Sequence, residues 1–150
     1  MNSRIVILEV VARRLYWVIL ATSLWVLLRG HNEPGGGFIG GLVAVSATVL
    51  WGVAHGAEAA ARRLPLGSGA TLAAAGVLVA AVAGLPALFQ GAAFLTHWWG
   101  SLPLGFTEVT ISTVLLFDIG VYLCVWGAMS GYALALLELD PSDPSGGASR

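Results

Sequence analysis

Residues 34–57 read PGGGFIGGLVAVSATVLWGVAHGA and contain no charged side chain. This length suits a membrane-spanning helix, because about 20 helical residues cross the roughly 30 Å hydrocarbon core of a bilayer. Small residues recur at every fourth position, and in membranes this spacing lets two helix backbones approach closely. These positions are Gly36, Gly40, Ala44, Thr48, Gly52 and Gly56. We predict a tightly packed membrane helix here; the abundance of Gly and Ala in the whole chain is the alternative explanation of the pattern.

Further segments are also almost free of charge. Residues 64–107 lack Asp, Glu, Lys and Arg, and residues 109–137 contain only Asp118. These runs predict an all-α membrane protein with one membrane domain over residues 1–140 and a polar tail, expected to be disordered, over residues 141–150. The four predicted spans lie near 10–28, 36–57, 68–90 and 109–137.

The first apolar run, residues 15–28, is too short to cross a bilayer alone. The long side chains of Arg13 and Arg14 can extend to the headgroups, so we predict that the span begins near Val10. A cleaved secretory signal is the alternative, but no small-x-small cleavage site precedes Arg29.

Composition excludes several classes of protein. The chain is 57% hydrophobic and 10% charged, with a formal net charge of -1. It cannot form the dense cationic face that nucleic-acid binding requires, and it is too apolar for intrinsic disorder. One cysteine excludes an internal disulfide and a multi-cysteine zinc site.

The arginines predict an orientation. On the four-span layout, one side carries most of them, and Arg29 is alone on the other side. The larger group comprises Arg4, Arg13, Arg14, Arg62 and Arg63. Because cytoplasmic loops carry an excess of cationic residues, we predict that both termini are cytoplasmic.

Asp118 is the main candidate for ion transport. It lies ten residues after Glu108, about 15 Å along a helix that starts there, and hence near the middle of the bilayer. Acids at that depth usually mark an ion or proton path. Tyr122, one turn later, is a candidate hydrogen-bond donor to Asp118. Glu108 is a further candidate for ion transport, although helix capping is its default interpretation. The alternative for Asp118 is a purely structural role.

A Gly-rich segment connects the first two predicted spans. Its candidate residues are His31, Glu33, Pro34, Gly35, Gly36, Gly37 and Phe38. Pro followed by Gly suits the centre of a type II turn, and the three glycines allow an unwound segment to enter the bilayer. An ordinary solvated turn is the alternative. The G-x-G-x-x-G pattern here is not a nucleotide site, because it follows a membrane span rather than a strand.

No arrangement of side chains predicts catalysis, a metal site or a cofactor. The histidines are isolated, and no Ser/His/Asp or Cys/His grouping is assembled. We therefore predict a protein that is not an enzyme.

Two segments resemble a known family. Residues 30–42, GHNEPGGGFIGGL, and residues 115–122, LLFDIGVY, are similar to hallmark segments of the B subunit of Mrp-type multisubunit sodium/proton antiporters. The resemblance implies a multi-pass subunit of the bacterial cell membrane that assembles with other antiporter subunits and exchanges Na+ for H+. It also implies that the segment carrying Pro34 and Phe38 takes part in antiport, and that Asp118 contributes to a cation route.

Two alternatives remain open from the sequence. One is a purely structural assembly subunit, whose small-residue faces hold partner subunits together. The other is the equivalent subunit of a membrane-bound, hydrogenase-type ion-pumping complex.

Overall fold

The computed structural model describes residues 3–29, 36–85, 99–103 and 108–139. Its helices are α1 (Ser3–Arg29), α2 (Gly36–His55), α3 (Ala57–Ala61), α4 (Gly69–Ala83) and α5 (Thr113–Glu138), with a 3-10 turn at Pro65–Gly67. Two short strands, β1 (Trp99–Pro103) and β2 (Glu108–Ser112), precede α5. The predicted polar tail, residues 141–150, lies outside the described residues.

Three of the described helices are long and apolar enough to cross a membrane. The candidate spans are Glu9–Arg29, Gly36–His55 and Val114–Glu138. The apolar helix α4 has 15 residues, about 22 Å at the usual rise, and is shorter than a full span. Residues 86–90, the end of the third predicted span, lie outside the described part of the chain.

The helices pack around α2 and α5. Helix α2 contacts α1 on one side and α5 on the other, and α4 packs against α5. Glycines 69 and 76 of α4 face glycines 120 and 127 of α5, whereas α2 meets the turns of α5 that carry Asp118 and Tyr122. Helix α5 therefore forms two different interfaces, one with α4 and one with α2.

The hairpin before α5 adds a short β element to the predicted all-α fold and corrects the start of the fourth span. Strands β1 and β2 pair antiparallel, with Trp99 opposite Ser112 and Pro103 opposite Glu108. Residues 109–111 are Val, Thr and Ile, whose β-branched side chains favour a strand over a helix. Helix α5 begins at Thr113 rather than at residue 109.

Two local signals set the ends of the middle helices. Gly56 has φ 93°, a conformation that side chains with a Cβ rarely adopt, and it separates α2 from α3. The predicted second span continued to residue 57, but α2 ends at His55. The Ser68 hydroxyl accepts a hydrogen bond from the Thr71 backbone N–H at 3.1 Å and caps the start of α4.

Candidate functional site

The Gly-rich start of α2 lies directly against the turn of α5 that carries Asp118. A Cβ atom added to Gly37 would overlap the backbone carbonyl oxygen of Asp118. Only glycine lets the two backbones come this close, because any side chain would force them apart. Gly37 and the partly buried Asp118 are therefore brought together across the α2–α5 interface.

Two further glycines continue this contact along α2. A Cβ at Gly40 would lie 2.9 Å from the Ser23 carbonyl oxygen and 3.2 Å from the Tyr122 ring. A Cβ at Gly41 would lie 2.9 Å from the Val125 Cβ. The first two turns of α2 thus fit closely between α1 and α5.

A buried hydrogen bond joins α1 to α5 at the next turn. The Tyr122 hydroxyl lies 2.9 Å from the Ser23 hydroxyl, and these residues are 2% and 0% exposed. Ser23 donates its single hydroxyl hydrogen to the Leu20 carbonyl oxygen at 2.7 Å, so Tyr122 is the donor to Ser23.

This geometry corrects the predicted partner of Tyr122. The sequence spacing suggested Asp118, one turn away on the same helix, whereas the hydroxyl bond that the structure shows goes to Ser23 on α1. The physical reason is the close approach at Gly40, which brings the α1 backbone within reach of the Tyr122 ring.

A second buried hydrogen bond lies one turn further along α5. The Trp126 indole N–H donates to the Thr48 hydroxyl at 2.9 Å, and Thr48 donates to the Ala44 carbonyl oxygen at 3.2 Å. An unpaired N–H in an apolar interior costs several kcal/mol in gross terms, so this pair fixes how α5 sits against α2. Thr48, expected only as a small packing residue, also accepts a hydrogen bond.

Asp118 lies nearer to the end of its helix than the sequence indicated. It is five residues after Thr113, the first residue of α5, or roughly 7.5 Å along the axis. The prediction of mid-bilayer depth counted from Glu108, which lies in strand β2 and does not start the helix. The predicted helix-capping role of Glu108 is therefore wrong.

The predicted Gly-rich turn is only partly described. His31, Glu33, Pro34 and Gly35 lie outside the described residues. Gly36 and Gly37 already belong to the first turn of α2, so the predicted unwound segment does not include them. Phe38, also helical, is 53% exposed and does not contribute to the α2–α5 contact.

The small residues of α2 differ in what they contact. Gly36, Gly40, Ala44, Thr48 and Gly52 are buried. A Cβ at Gly52 would lie 2.9 Å from the Leu134 side chain. Gly56 is exposed, and a Cβ there would meet nothing within 4 Å, so it breaks the helix instead of packing against a neighbour.

Sequence reasoning missed Ser23 altogether and missed Trp126 as a hydrogen-bond donor. A signal was present, because Asp118, Tyr122 and Trp126 recur at every fourth residue and so lie along one side of α5. Among the described residues, no three His, Cys, Asp or Glu side chains are grouped to hold a metal ion.

Comparison with known proteins identifies the family of this chain. The family model described as "Domain related to MnhB subunit of Na+/H+ antiporter" matches residues 7–131. The chain belongs to the MnhB family. The predicted family is thus confirmed, and it is a family of transporter subunits.

The MnhB relatives include two curated bacterial proteins, each named as the B subunit of a Na(+)/H(+) antiporter. The Bacillus subtilis (strain 168) protein is 41% identical over 124 residues, which are 81% of this chain and 85% of the relative. The Alkalihalophilus pseudofirmus protein is 36% identical over 143 residues, which are 93% of this chain and 97% of the relative. The match runs along nearly the whole of both sequences.

A solved structure has the same fold. The structure of the Mrp complex from Dietzia sp. DQ12-45-1b matches with a TM-score of 0.75 and 35% sequence identity. The match covers 93% of this chain and 15% of the solved chain. The MnhB fold described here is therefore that of a multi-pass protein of the bacterial cell membrane.

Proposed function

We propose that this MnhB family member is a subunit of a Mrp-type Na+/H+ antiporter, and that Gly37 and Asp118 form part of its cation route. The family match and the curated relatives support the first statement. The contact between the start of α2 and the Asp118 turn of α5 supports the second. This contact joins the two segments that resemble the family's hallmark segments, which lie far apart in the sequence.

Asp118 is suited to handling a cation because of its place in the fold. Its backbone is packed against a glycine, its side chain is partly buried, and two buried hydrogen bonds join the next turns of α5 to α1 and to α2. An acid near the end of a membrane helix can exchange Na+ or H+ with the aqueous side, while the closed α2–α5 interface blocks passage along this chain alone. The cation path would therefore continue into a neighbouring subunit.

The same proposal includes the orientation and the number of spans. We expect four spans, with α4 as the third and both termini in the cytoplasm. The supporting observation is that Arg63 lies over Tyr16 and Trp17, which puts the loop after α3 nearer to the Glu9 end of the candidate span Glu9–Arg29 than to its Arg29 end. Arg29 lies at the other end of α1, over Trp25. Cationic residues therefore gather at one end, as the cytoplasmic end requires.

Replacement of Asp118 tests the transport role. The variants are Asp118→Asn and Asp118→Glu in the complete complex, in everted membrane vesicles from a host that lacks other Na+/H+ antiporters. The measurement is the Na+-dependent loss of the pH gradient, normalised to the amount of assembled complex. We expect Asp118→Asn to lower antiport by roughly tenfold or more, the scale for loss of a positioned acid, and Asp118→Glu to retain part of the activity.

Glu58→Gln is the matched control, because Glu58 is an exposed acid that pairs with Arg62 at the other end of the bundle. It should leave antiport unchanged. Normal antiport in an assembled Asp118→Asn complex would contradict the transport role.

A purely structural role is the second candidate, and the closely packed α4–α5 interface favours it. Gly76 and Gly127 admit no Cβ at this interface without displacement of backbone atoms. A structural subunit predicts that Asp118→Asn is silent while substitutions at these glycines prevent assembly. The two candidates therefore give opposite results for Asp118→Asn.

A further inference from the structure

An arginine lies among aromatic rings at the end of the bundle remote from Asp118. The Arg63 guanidinium carbon is 3.7 Å from the ring centre of Trp51, 5.3 Å from that of Tyr16 and 5.9 Å from that of Trp17. The rings of Tyr16 and Trp51 meet edge to face, with centres 5.4 Å apart. We call these four residues the aromatic cluster. It ties the loop after α3 to both α1 and α2.

Trp51 has a partner on each face of its ring. His55 stacks on it with ring centres 3.9 Å apart and an angle of 6° between the planes. The Arg63 guanidinium is equally close to the ring centre, at 3.7 Å. Two groups this near cannot share one face, so they lie on opposite faces. The indole and the arginine are thereby held in one arrangement.

Arg63 makes a side-chain hydrogen bond with Tyr16 and keeps its other donors for a further ligand. Stacking uses the flat face of a guanidinium, whereas its N–H groups lie in the plane and point outward from its edge. Arg63 is exposed, and the ion pair described at this end joins Arg62 to Glu58 at 2.6 Å. An exposed guanidinium with its face stacked is well placed to bind two oxygens of a phosphate group.

A second arginine lies on the side of α1 that carries Tyr16 and Trp17. Arg13 precedes Tyr16 by three residues and Trp17 by four, and helix residues at these spacings are neighbours on one face. Arg13 is exposed. Arg13 on α1 and Arg63 in the loop therefore both lie on the side of α1 that carries Tyr16 and Trp17.

We propose that Arg13 and Arg63 bind the phosphate of an anionic phospholipid headgroup at this end of the bundle. Arg13 lies one turn inside the candidate span Glu9–Arg29, so its long side chain can extend to the headgroups. Trp17 is 58% exposed, and Val10 and Val18 are exposed beside it, which provides apolar surface for the acyl chains. A free phosphate ion, which has no acyl chains, would not cover this apolar surface, whereas a phospholipid would. Cationic pockets at helix ends bind anionic lipid headgroups in this manner.

Lipid titration of the purified full chain, followed by native mass spectrometry, tests the site. The probes are dioleoyl-phosphatidylglycerol, zwitterionic dioleoyl-phosphatidylcholine and inorganic phosphate as a competitor. The variants are Arg63→Gln, Arg63→Lys, Arg13→Gln and the matched control Arg62→Gln, which removes the same charge from the neighbouring, Glu58-paired residue. Thermal unfolding of each variant shows whether it is folded.

The expected result is selective binding of phosphatidylglycerol. Arg63→Gln and Arg13→Gln should each weaken it by about fivefold, the usual effect of one cationic residue at a membrane surface. Arg63→Lys should weaken it partly, because lysine keeps the charge but lacks the planar fork. Arg62→Gln should have no effect, and millimolar phosphate should not displace the lipid.

Three results would overturn the proposal. Equal binding of the two lipids would show that the headgroup charge is not recognised. An Arg62→Gln effect as large as that of Arg63→Gln would show that only the total charge matters. Displacement of the lipid by inorganic phosphate would assign the site to a soluble anion. If Arg63→Gln unfolds, Arg13→Gln still tests the proposal, because it alters no contact described within the bundle.

Discussion

The two faces of α5 are built in different ways. Toward α4, Gly120 and Gly127 meet backbone atoms of the neighbouring helix so closely that an added Cβ would lie 2.5 Å from them. Toward α1 and α2, Tyr122 and Trp126 form buried hydrogen bonds to Ser23 and Thr48. The first interface rests on close backbone packing, whereas the second adds buried polar pairs to glycine contacts of the same kind.

This difference distinguishes an interface that only holds two helices together from one that also carries the candidate site. An apolar groove of about 340 Å³ beside the α4 interface is lined by residues such as Val77, Phe117 and Cys124 and offers no charge to a cation. The α2 interface carries Asp118 and meets the Gly-rich segment. We therefore expect substitutions on both sides to act on folding, and only those that reach Asp118 on the α2 side to act directly on transport.

Gly127→Ala is expected to lower stability more than the loss of either buried hydrogen bond of α5. Its Cβ would lie 2.5 Å from the Ala73 N and the Gly69 carbonyl oxygen, so the two backbones must separate. Overpacking of a close-packed interface costs about 1–3 kcal/mol, and separation of backbones lies at the upper end. The measurement is the unfolding midpoint of the purified chain in detergent, together with the yield of assembled complex.

Gly131→Ala is the control for this substitution, one turn along the same helix. A Cβ at Gly131 would lie 3.7 Å from the Gly69 Cα, an ordinary contact. Since alanine is the better helix former by up to about 1 kcal/mol, this variant should be neutral or slightly stabilising. Equal effects of the two substitutions would show that the backbones are not in close contact.

Thr48→Val should have the next largest effect. Valine matches threonine in shape but cannot accept the Trp126 indole N–H, which then stays buried without that partner. The expected cost is about 1–3 kcal/mol. Trp126→Phe in the Thr48→Val background should restore part of the stability, because it removes the unpaired donor. An unfolding midpoint equal to that of the unmodified chain would exclude the bond.

Tyr122→Phe should have the smallest effect. It removes the hydroxyl that donates to Ser23 but keeps the ring against Gly40. Hydrogen bonds between membrane helices average about 0.6 kcal/mol, so the unfolding free energy should fall by about that amount. Ser23→Ala should cost more, because it leaves the buried Tyr122 hydroxyl without its acceptor, and adding Tyr122→Phe should restore part of that loss. Additive losses would show that the two hydroxyls act independently.

The sequence predicted the helices and the family because these depend on local signals. Long charge-free runs and small residues at every fourth position indicated the helix at residues 36–55 directly. The two segments around Gly37 and Asp118 indicated the family without any structure.

Other features could not be predicted because they depend on contacts between distant segments. The partner of Tyr122 is set by the approach of α1 to α2, which no spacing along one helix reveals. The hairpin before α5 results from strand pairing that ends an otherwise apolar run at Thr113. The position of Asp118 along its helix was misjudged for the same reason, because the helix begins at Thr113 and not at Glu108.

The central claim is that the Gly37 contact and the Asp118 side chain act as one site. A double-mutant cycle of Gly37→Ala and Asp118→Glu in the antiport assay tests it most directly, normalised to assembled complex. Because contacting residues couple by about 0.5–3 kcal/mol, we predict that the double variant transports Na+ clearly faster than the product of the two single effects allows. Glu58→Gln combined with either variant should give the product of the two single effects. The same multiplicative result for Gly37→Ala with Asp118→Glu would contradict the account.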